Sequence, residues 1–231
     1  MRNNLSITSS NVVKLHYNSI HTINQLDIWD SRFINSCLVG SNQGVMFARE
    51  KMYPVDIHKY AELSGLYYGE AFDKALKAAI KLRDFKFSMV LPNGATLHDQ
   101  LVYKIIEDKD MQLFLIHWNE NFIPLVSGHM KAGDFISPQV SAASFSSNRR
   151  YCLYLALIKQ LYLLEKQDSF IIPKQEIRSI LGLKEGEYSE FKMVNAKVIK
   201  PALRDIYAKL GIPITCKIHS SRVIFQYGEV K

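Results

Sequence analysis

"FKMVNAKVIKPALRDIYAKLG", residues 191–211, reads as one long amphipathic helix with a proline in its interior. At about 100° per residue, Phe191, Val194, Val198, Ala202 and Ile206 recur at steps of three and four and form an apolar stripe. Met193, Lys197, Lys200 and Arg204 run down the opposite side at i, i+4, i+7 and i+11, and Lys192 lies on one flank, within reach of a phosphate. Pro201 has no N–H for the carbonyl of Lys197 and its ring presses on that carbonyl, a defect that costs about 3 kcal/mol inside a helix. Two outcomes stay open for it. A bend there lets the first turns enter a DNA groove while 202–210 stays on the core, or it marks a bend or boundary that serves packing alone.

Around this stretch the elements follow a set order. "NRRYCLYLALIKQLYLLEKQ" (148–167) is a helix rich in Leu and Tyr, and "SFIIP" (169–173) is a short strand. "PKQEIRSILGL" (173–183) is a short helix with Pro173 near its first turn and Gly182 as its stop. "KEGEYSE" (184–190) is a turn into the long helix, and "IPITCKIHSSRVIFQYGEV" (212–230) closes the chain as two strands around His219, Ser220, Ser221 and Arg222.

The first half repeats that order without repeating the sequence. "TINQLDIWDSRFINSCLVGS" (22–41) is a helix, "GVMFA" (44–48) a short apolar piece, and "PVDIHKYAELSGL" (54–66) and "YGEAFDKALKAAIKLRDF" (68–85) hold two helices. Residues 85–118 are extended segments joined at turns, with Pro92-Asn93-Gly94 the strongest turn signal. Helix, strand, helix, helix, hairpin is the winged form of the helix-turn-helix, whose second paired helix enters the DNA major groove. The expected fold is therefore α+β: two tandem winged helix-turn-helix domains forming a pseudo-repeat. The expected boundaries are 1–127 for the first domain, 128–147 for a Ser-, Gly- and Pro-rich connection, and 148–231 for a basic second domain.

In the first domain's candidate reading helix, Phe72, Leu76, Ala79 and Ile80 are expected on the core face, with Lys74, Lys77 and Lys81 on the other. The charge is distributed unevenly. Residues 1–146 carry 14 Lys+Arg against 14 Asp+Glu, whereas 147–231 carry 15 against 8, so the whole excess of +7 lies in the second part. That asymmetry points to a polyanionic partner. Arg222 beside two serines suits phosphate or minor-groove contact, and the Asn93-Gly94 tip, without a charge of its own, ranks below it. Met193, Asn195 and Ala196 are placed to approach base edges, Asn suiting adenine and Ala or Met a thymine methyl.

Other chemistries lack their residues. The three cysteines, Cys37, Cys152 and Cys216, are far apart, and the seven histidines form no H-x-H or H-E-x-x-H pair, so no metal or other cofactor is expected. Phosphate-cradling and nucleophile-elbow glycine motifs do not occur. A nicking enzyme needs a histidine-held metal beside a nucleophilic tyrosine. Without the histidine pair, Tyr67, Tyr68, Tyr103 and Tyr207 read as packing or DNA-stacking residues, and no enzyme activity is expected. No apolar run is long enough for a bilayer and the start lacks the apolar block of a secretory signal, so a cytoplasmic protein with no membrane partner is expected.

"EIRSILGL" (176–183), then Tyr188, Phe191 and Lys192 in Y-x-x-F-K, "VIKPALRDI" (198–206) and the closing "RVIF" (222–225) resemble the replication initiator (Rep) proteins of theta-replicating plasmids with iteron origins. The resemblance covers residues 149–227 and extends more loosely to the first half, where "VDIHKYAELSGL" carries it. It implies two winged-helix domains that bind direct repeats in double-stranded DNA and promote opening of the origin. It also implies a monomer–dimer equilibrium joined through the first domain, repression of the initiator's own gene, and recruitment of the host initiator ATPase and replicative helicase. Carried over, the reading helices are 190–204 and about 69–81. "LYLALIKQLYLL" (153–164) stands where the family usually has an Arg-Leu-Tyr-Glu-Leu core, and Ser221 stands where Gly precedes the arginine. A winged-helix transcriptional regulator, reading a palindrome with the same helices and no role in replication, is the alternative.

Overall fold

A computed structural model describes residues 15–16, 23–42, 52–90, 94–120, 135–136, 145–163 and 168–228. The chain runs β1 (Leu15–His16), α1 (Ile28–Asn42), β2 (Tyr53–Asp56), α2 (Ile57–Ser64) and α3 (Tyr68–Asp84), then β3 (Lys86–Val90), β4 (Thr96–Gln100), β5 (Val102–Asp108), β6 (Leu113–Trp118) and β7 (Phe135–Ile136). The second half holds α4 (Asn148–Leu163), β8 (Ser169–Pro173), α5 (Lys174–Ile180), α6 (Phe191–Val194), a π turn (Asn195–Ile199), α7 (Lys200–Leu210), β9 (Ile214–Ile218) and β10 (Arg222–Tyr227). The short apolar piece expected at 44–48 and most of the connection expected at 128–147 lie outside the described residues.

The pseudo-repeat is visible in the sheets. In the first half β2 pairs with β6, which pairs with β5; in the second β8 pairs with β10, which pairs with β9. Each three-stranded antiparallel sheet thus places the strand before the helix pair against the last strand of the wing. The β3–β4 hairpin forms a separate two-stranded sheet between α3 and β5. The hairpin equivalent to the closing β9–β10 wing is therefore β5–β6, turning at 109–112, and not the Pro92-Asn93-Gly94 hairpin.

Alternation fixes which strand face goes inward: β6 buries Phe114, Ile116 and Trp118, and β8 buries Phe170 and Ile172. In the first domain Phe33 meets Tyr60 and Phe114 edge-on, each at 6.0 Å, and Trp118 donates its ring N–H to Cys37 Sγ at 3.2 Å. In the second, Phe170 and Phe225 stack at 5.5 Å in the core that also holds Val194 and Ile206. Asp56 caps α2, its carboxylate accepting from the N–H groups of His58 (2.7 Å) and Lys59 (3.2 Å).

The two halves join through polar groups on one face of α1. Ser31 Oγ donates to Asn148 Oδ1 (2.7 Å), Arg32 Nη2 to the Phe145 carbonyl (3.1 Å) and Asn35 Nδ2 to Tyr151 Oη (3.0 Å). Asn148 Nδ2 donates back to the carbonyls of Ile23 and Leu26, both at 2.7 Å. Asn24 Nδ2 reaches the Ser179 carbonyl at the end of α5 (2.9 Å). Ser31, Arg32 and Asn35 are buried, so these bonds supply partners that water no longer can.

Candidate nucleic-acid interface

The approach to the second reading helix is braced before the helix begins. Arg178 donates to the carbonyls of Tyr188 (3.0 Å) and Glu187 (2.6 Å), and Arg149 pairs with Glu187 at 2.8 Å. These arginines hold the 183–190 turn, with Tyr188 in the left-handed region at φ 49°. Arg150 pairs with Asp205 at 2.8 Å, tying the first turn of α4 to α7. Three basic residues of the second domain are thus structural, and the sequence gives no local sign of it.

Within 191–210 the proline defect is resolved by a π turn. The N–H of Lys200 bonds to the carbonyl of Asn195, five residues back. Pro201 follows in the first turn of α7, where a missing N–H costs least. The proline marks a change of helical winding, and its ring is buried.

The expected polar face is on the surface. Lys192, Ala196, Lys197, Lys200 and Arg204 are exposed, and Met193 is 39% exposed. Lys192, Lys200 and Arg204 form no ion pair among the described residues. The Lys197 ammonium lies 5.8 Å from the centre of the Tyr188 ring, and Lys174 lies 4.9 Å from that of Phe191. Asn195 is half-buried, its Oδ1 accepting a weak bond from Cys216 Sγ at 3.9 Å. Burial pushes the Cys216 thiol above its usual range, with the nearby Lys200 charge working against it. Arg222 is exposed at the wing. Tyr207, expected to pack or to stack on DNA, is 56% exposed and continues the outer surface one turn past Arg204.

Helix α3 differs from its sequence reading. Its buried residues are Ala71, Ala75, Ala78, Ala79 and Leu82, while Ile80 is 44% exposed and Phe72 and Leu76 are half-buried. The inward stripe is made of alanines, so the helix is turned relative to the expected face. The Lys74 ammonium sits 4.6 Å from the centre of the Trp29 ring, on whose ring Arg32 also lies at 4.6 Å. Lys81 pairs with Asp27 at 2.8 Å and Asp30 at 2.5 Å. Of the three lysines expected to contact DNA, Lys77 alone has no such partner among the described residues. Its neighbours on the exposed ridge are Glu70, Asp73 and Ile80, so the ridge is mixed in charge.

The Lys81 cluster sets its own titration. Burial, with the Asp27 charge beside it, holds the Asp30 carboxyl above the usual range against the pull of Lys81. At Asp27 burial also works upward, but bonds from Lys81 and the N–H groups of Asp30 and Trp29 outweigh it and hold that carboxyl low. Burial would lower Lys81, yet its two carboxylate partners raise it. Among the described residues no three His, Cys, Asp or Glu side chains gather as a metal site, and no helix is long and apolar enough to cross a membrane.

A paired set of winged-helix sheets, each with a helix pair and a wing, defines the class: a tandem winged-helix protein. Residues 173–224 match the family model described as "Initiator Rep protein, WH2". The fold is similar to that in the crystal structure of Pi initiator protein in complex with iteron DNA, at 18% identity, TM-score 0.81, covering 96% of this chain and 98% of that one. Domains 2 and 3 of RctB are more distantly similar, at 11% identity and TM-score 0.52 over 87% of this chain and 81% of that one. No curated protein matches the chain by sequence. The resemblance to initiator Rep proteins read in the sequence thus rests on a family match in the second domain and on the fold of nearly the whole chain.

Proposed function

We propose that this protein is a plasmid replication initiator that binds direct repeats in double-stranded DNA, without enzymatic activity or cofactor. One observation carries the reading: the segment that matches the Rep family model presents Lys192, Lys200 and Arg204, unpaired among the described residues, on the outside of the reading helix. Lys197 and Arg222 add phosphate contacts, and Met193, Asn195 and Ala196 approach base edges. The second domain, 148–231, does most of the binding. The first domain, 1–127, joins monomers into a repressing dimer and adds Lys77 on the DNA, with Lys74 beside it, while Lys81 stays clamped to Asp27 and Asp30. The connection is 128–147. Bound monomers promote opening of adjacent DNA and recruit the host initiator ATPase and replicative helicase. With several phosphates neutralised, raising salt from about 50 to 200 mM weakens binding roughly a thousandfold.

The test joins the gene and its flanking DNA to a selectable circle that has no other origin, and counts transformants. Stable replicating circles are expected with the intact gene, and none with Lys200→Ala/Arg204→Ala. Protein that binds its flanking DNA and represses its gene, but never sustains the circle, is instead a winged-helix regulator.

A further inference from the structure

The π turn changes which residues of the reading helix face the DNA. Val194 and Ile206 are twelve residues apart and both 0% exposed. In a regular α-helix twelve residues turn about 1,200°, which leaves the two roughly 120° apart around the axis. A single π turn absorbs one residue, so the same stretch turns by about 1,100° and the offset falls to roughly 20°. This is how Val194, Val198, Ala202 and Ile206, at strict steps of four, all reach the core.

The same arithmetic applies outside. Lys192, Ala196, Lys200 and Arg204 also follow steps of four and are all exposed. On a regular helix Lys192 would lie roughly 120° from Arg204, on the flank of the face that Arg204 presents. With one residue absorbed, the four form a single row along the outer surface, and Met193 and Lys197 move to its flank. The row spans about 17 Å, against a major groove about 12 Å wide. Its end cations reach the phosphates on both sides while Ala196, with its single methyl, lets the helix come close to the base edges between them.

We infer that Pro201 and the π turn are the positioning elements of DNA recognition: they bring Lys192 into one row with Lys200 and Arg204 and set Ala196 facing the groove floor. Pro201 acts through the backbone, because it lies where bonding changes from five residues back to four and has no N–H to extend a regular ladder upstream. The inference rests on the DNA-binding reading above and adds to it the register of the contact.

The experiment measures salt dependence of binding, by fluorescence anisotropy, to a duplex carrying direct repeats from beside the gene and to a shuffled duplex of the same composition. Lys192→Ala, Lys200→Ala and Arg204→Ala are surface changes. Each is expected to lower the slope of log K against log salt by about 0.9, one lost phosphate. A slope left unchanged by Lys192→Ala while the other two lower it overturns the single row. Pro201→Ala is expected to stay folded, to lower the slope on both duplexes by about 0.9 as Lys192 leaves the row, and to lose at least tenfold of its preference for the repeats. Folded Pro201→Ala with full preference overturns the positioning role; if that variant does not fold, the Lys192→Ala slope decides. A wild-type protein that binds both duplexes equally contradicts the initiator reading instead, and the slopes on shuffled DNA still decide the row.

Discussion

Replacing Lys81 by methionine separates an internal clamp from a DNA contact. Lys81 Nζ holds two carboxylates, and one of them, Asp30, has a side chain only 2% exposed. Without the ammonium, Asp30 keeps the N–H of Asp27 at 2.9 Å as a partner and remains a buried anion short of donors. Leaving a buried acceptor unsatisfied costs about 1–3 kcal/mol, and the half-exposed Lys81 keeps the value below the 3–5 kcal/mol of a fully buried pair. Taking about 2 kcal/mol, the midpoint of thermal unfolding falls by about 4–8 °C for a chain of this size.

The pH dependence has a definite sign. Asp30 is raised in the folded protein, so its charged form costs stability at neutral pH and that cost disappears as pH falls and the group takes up a proton. Removing Lys81 raises Asp30 further, so the gap between wild type and Lys81→Met narrows from pH 7 toward pH 4. Lys81→Met/Asp30→Asn should recover at least about 1 kcal/mol relative to additivity, measured as a double-mutant cycle in urea. The salt slope on DNA stays unchanged. Lys81→Met with wild-type stability and a slope flatter by about 0.9 would refute the clamp and make Lys81 a phosphate contact.

Asp56→Ala removes the two N-cap bonds of α2 and should cost about 1 kcal/mol by urea unfolding, with repeat preference unchanged. Gly211 ends α7 at φ 65° with open space around an added Cβ, so Gly211→Ala should cost about 1 kcal/mol. Gly182 combines φ 59° with the Asn24 carbonyl 3.1 Å from an added Cβ. Gly182→Ala should therefore destabilise more than Gly211→Ala in the same denaturant series and loosen the Asn24 bond to Ser179 between the halves.

The second domain was the more legible half, because large apolar residues at Val194, Val198 and Ile206 outline the buried face of its reading helix. The π turn left a trace too, in uniform steps of four where an α-helix mixes three and four, but a stripe drawn at 100° per residue absorbs that trace as drift. In α3 the buried face is built of alanines, which allow close approach to α1 yet add little to a hydrophobic pattern. Phe72, Leu76 and Ile80 dominated the pattern and pointed to a neighbouring face. The contacts of Lys74 with Trp29 and of Lys81 with Asp27 and Asp30 join residues more than forty positions apart, and no local spacing encodes them. The first-domain wing was misplaced for a related reason. Pro92-Asn93-Gly94 is the louder turn signal, but pairing of β2 with β6 makes β5–β6 the equivalent hairpin.

The central claim is specific recognition of repeated DNA, and binding titration tests it most directly. Purified protein is titrated by fluorescence anisotropy at two salt concentrations onto a duplex carrying the direct repeats beside its gene, and onto a shuffled duplex of equal composition. The account predicts binding at least a hundredfold tighter to the repeats, with protein added per repeat and steep weakening in the higher salt. Equal affinity for the two duplexes would contradict it.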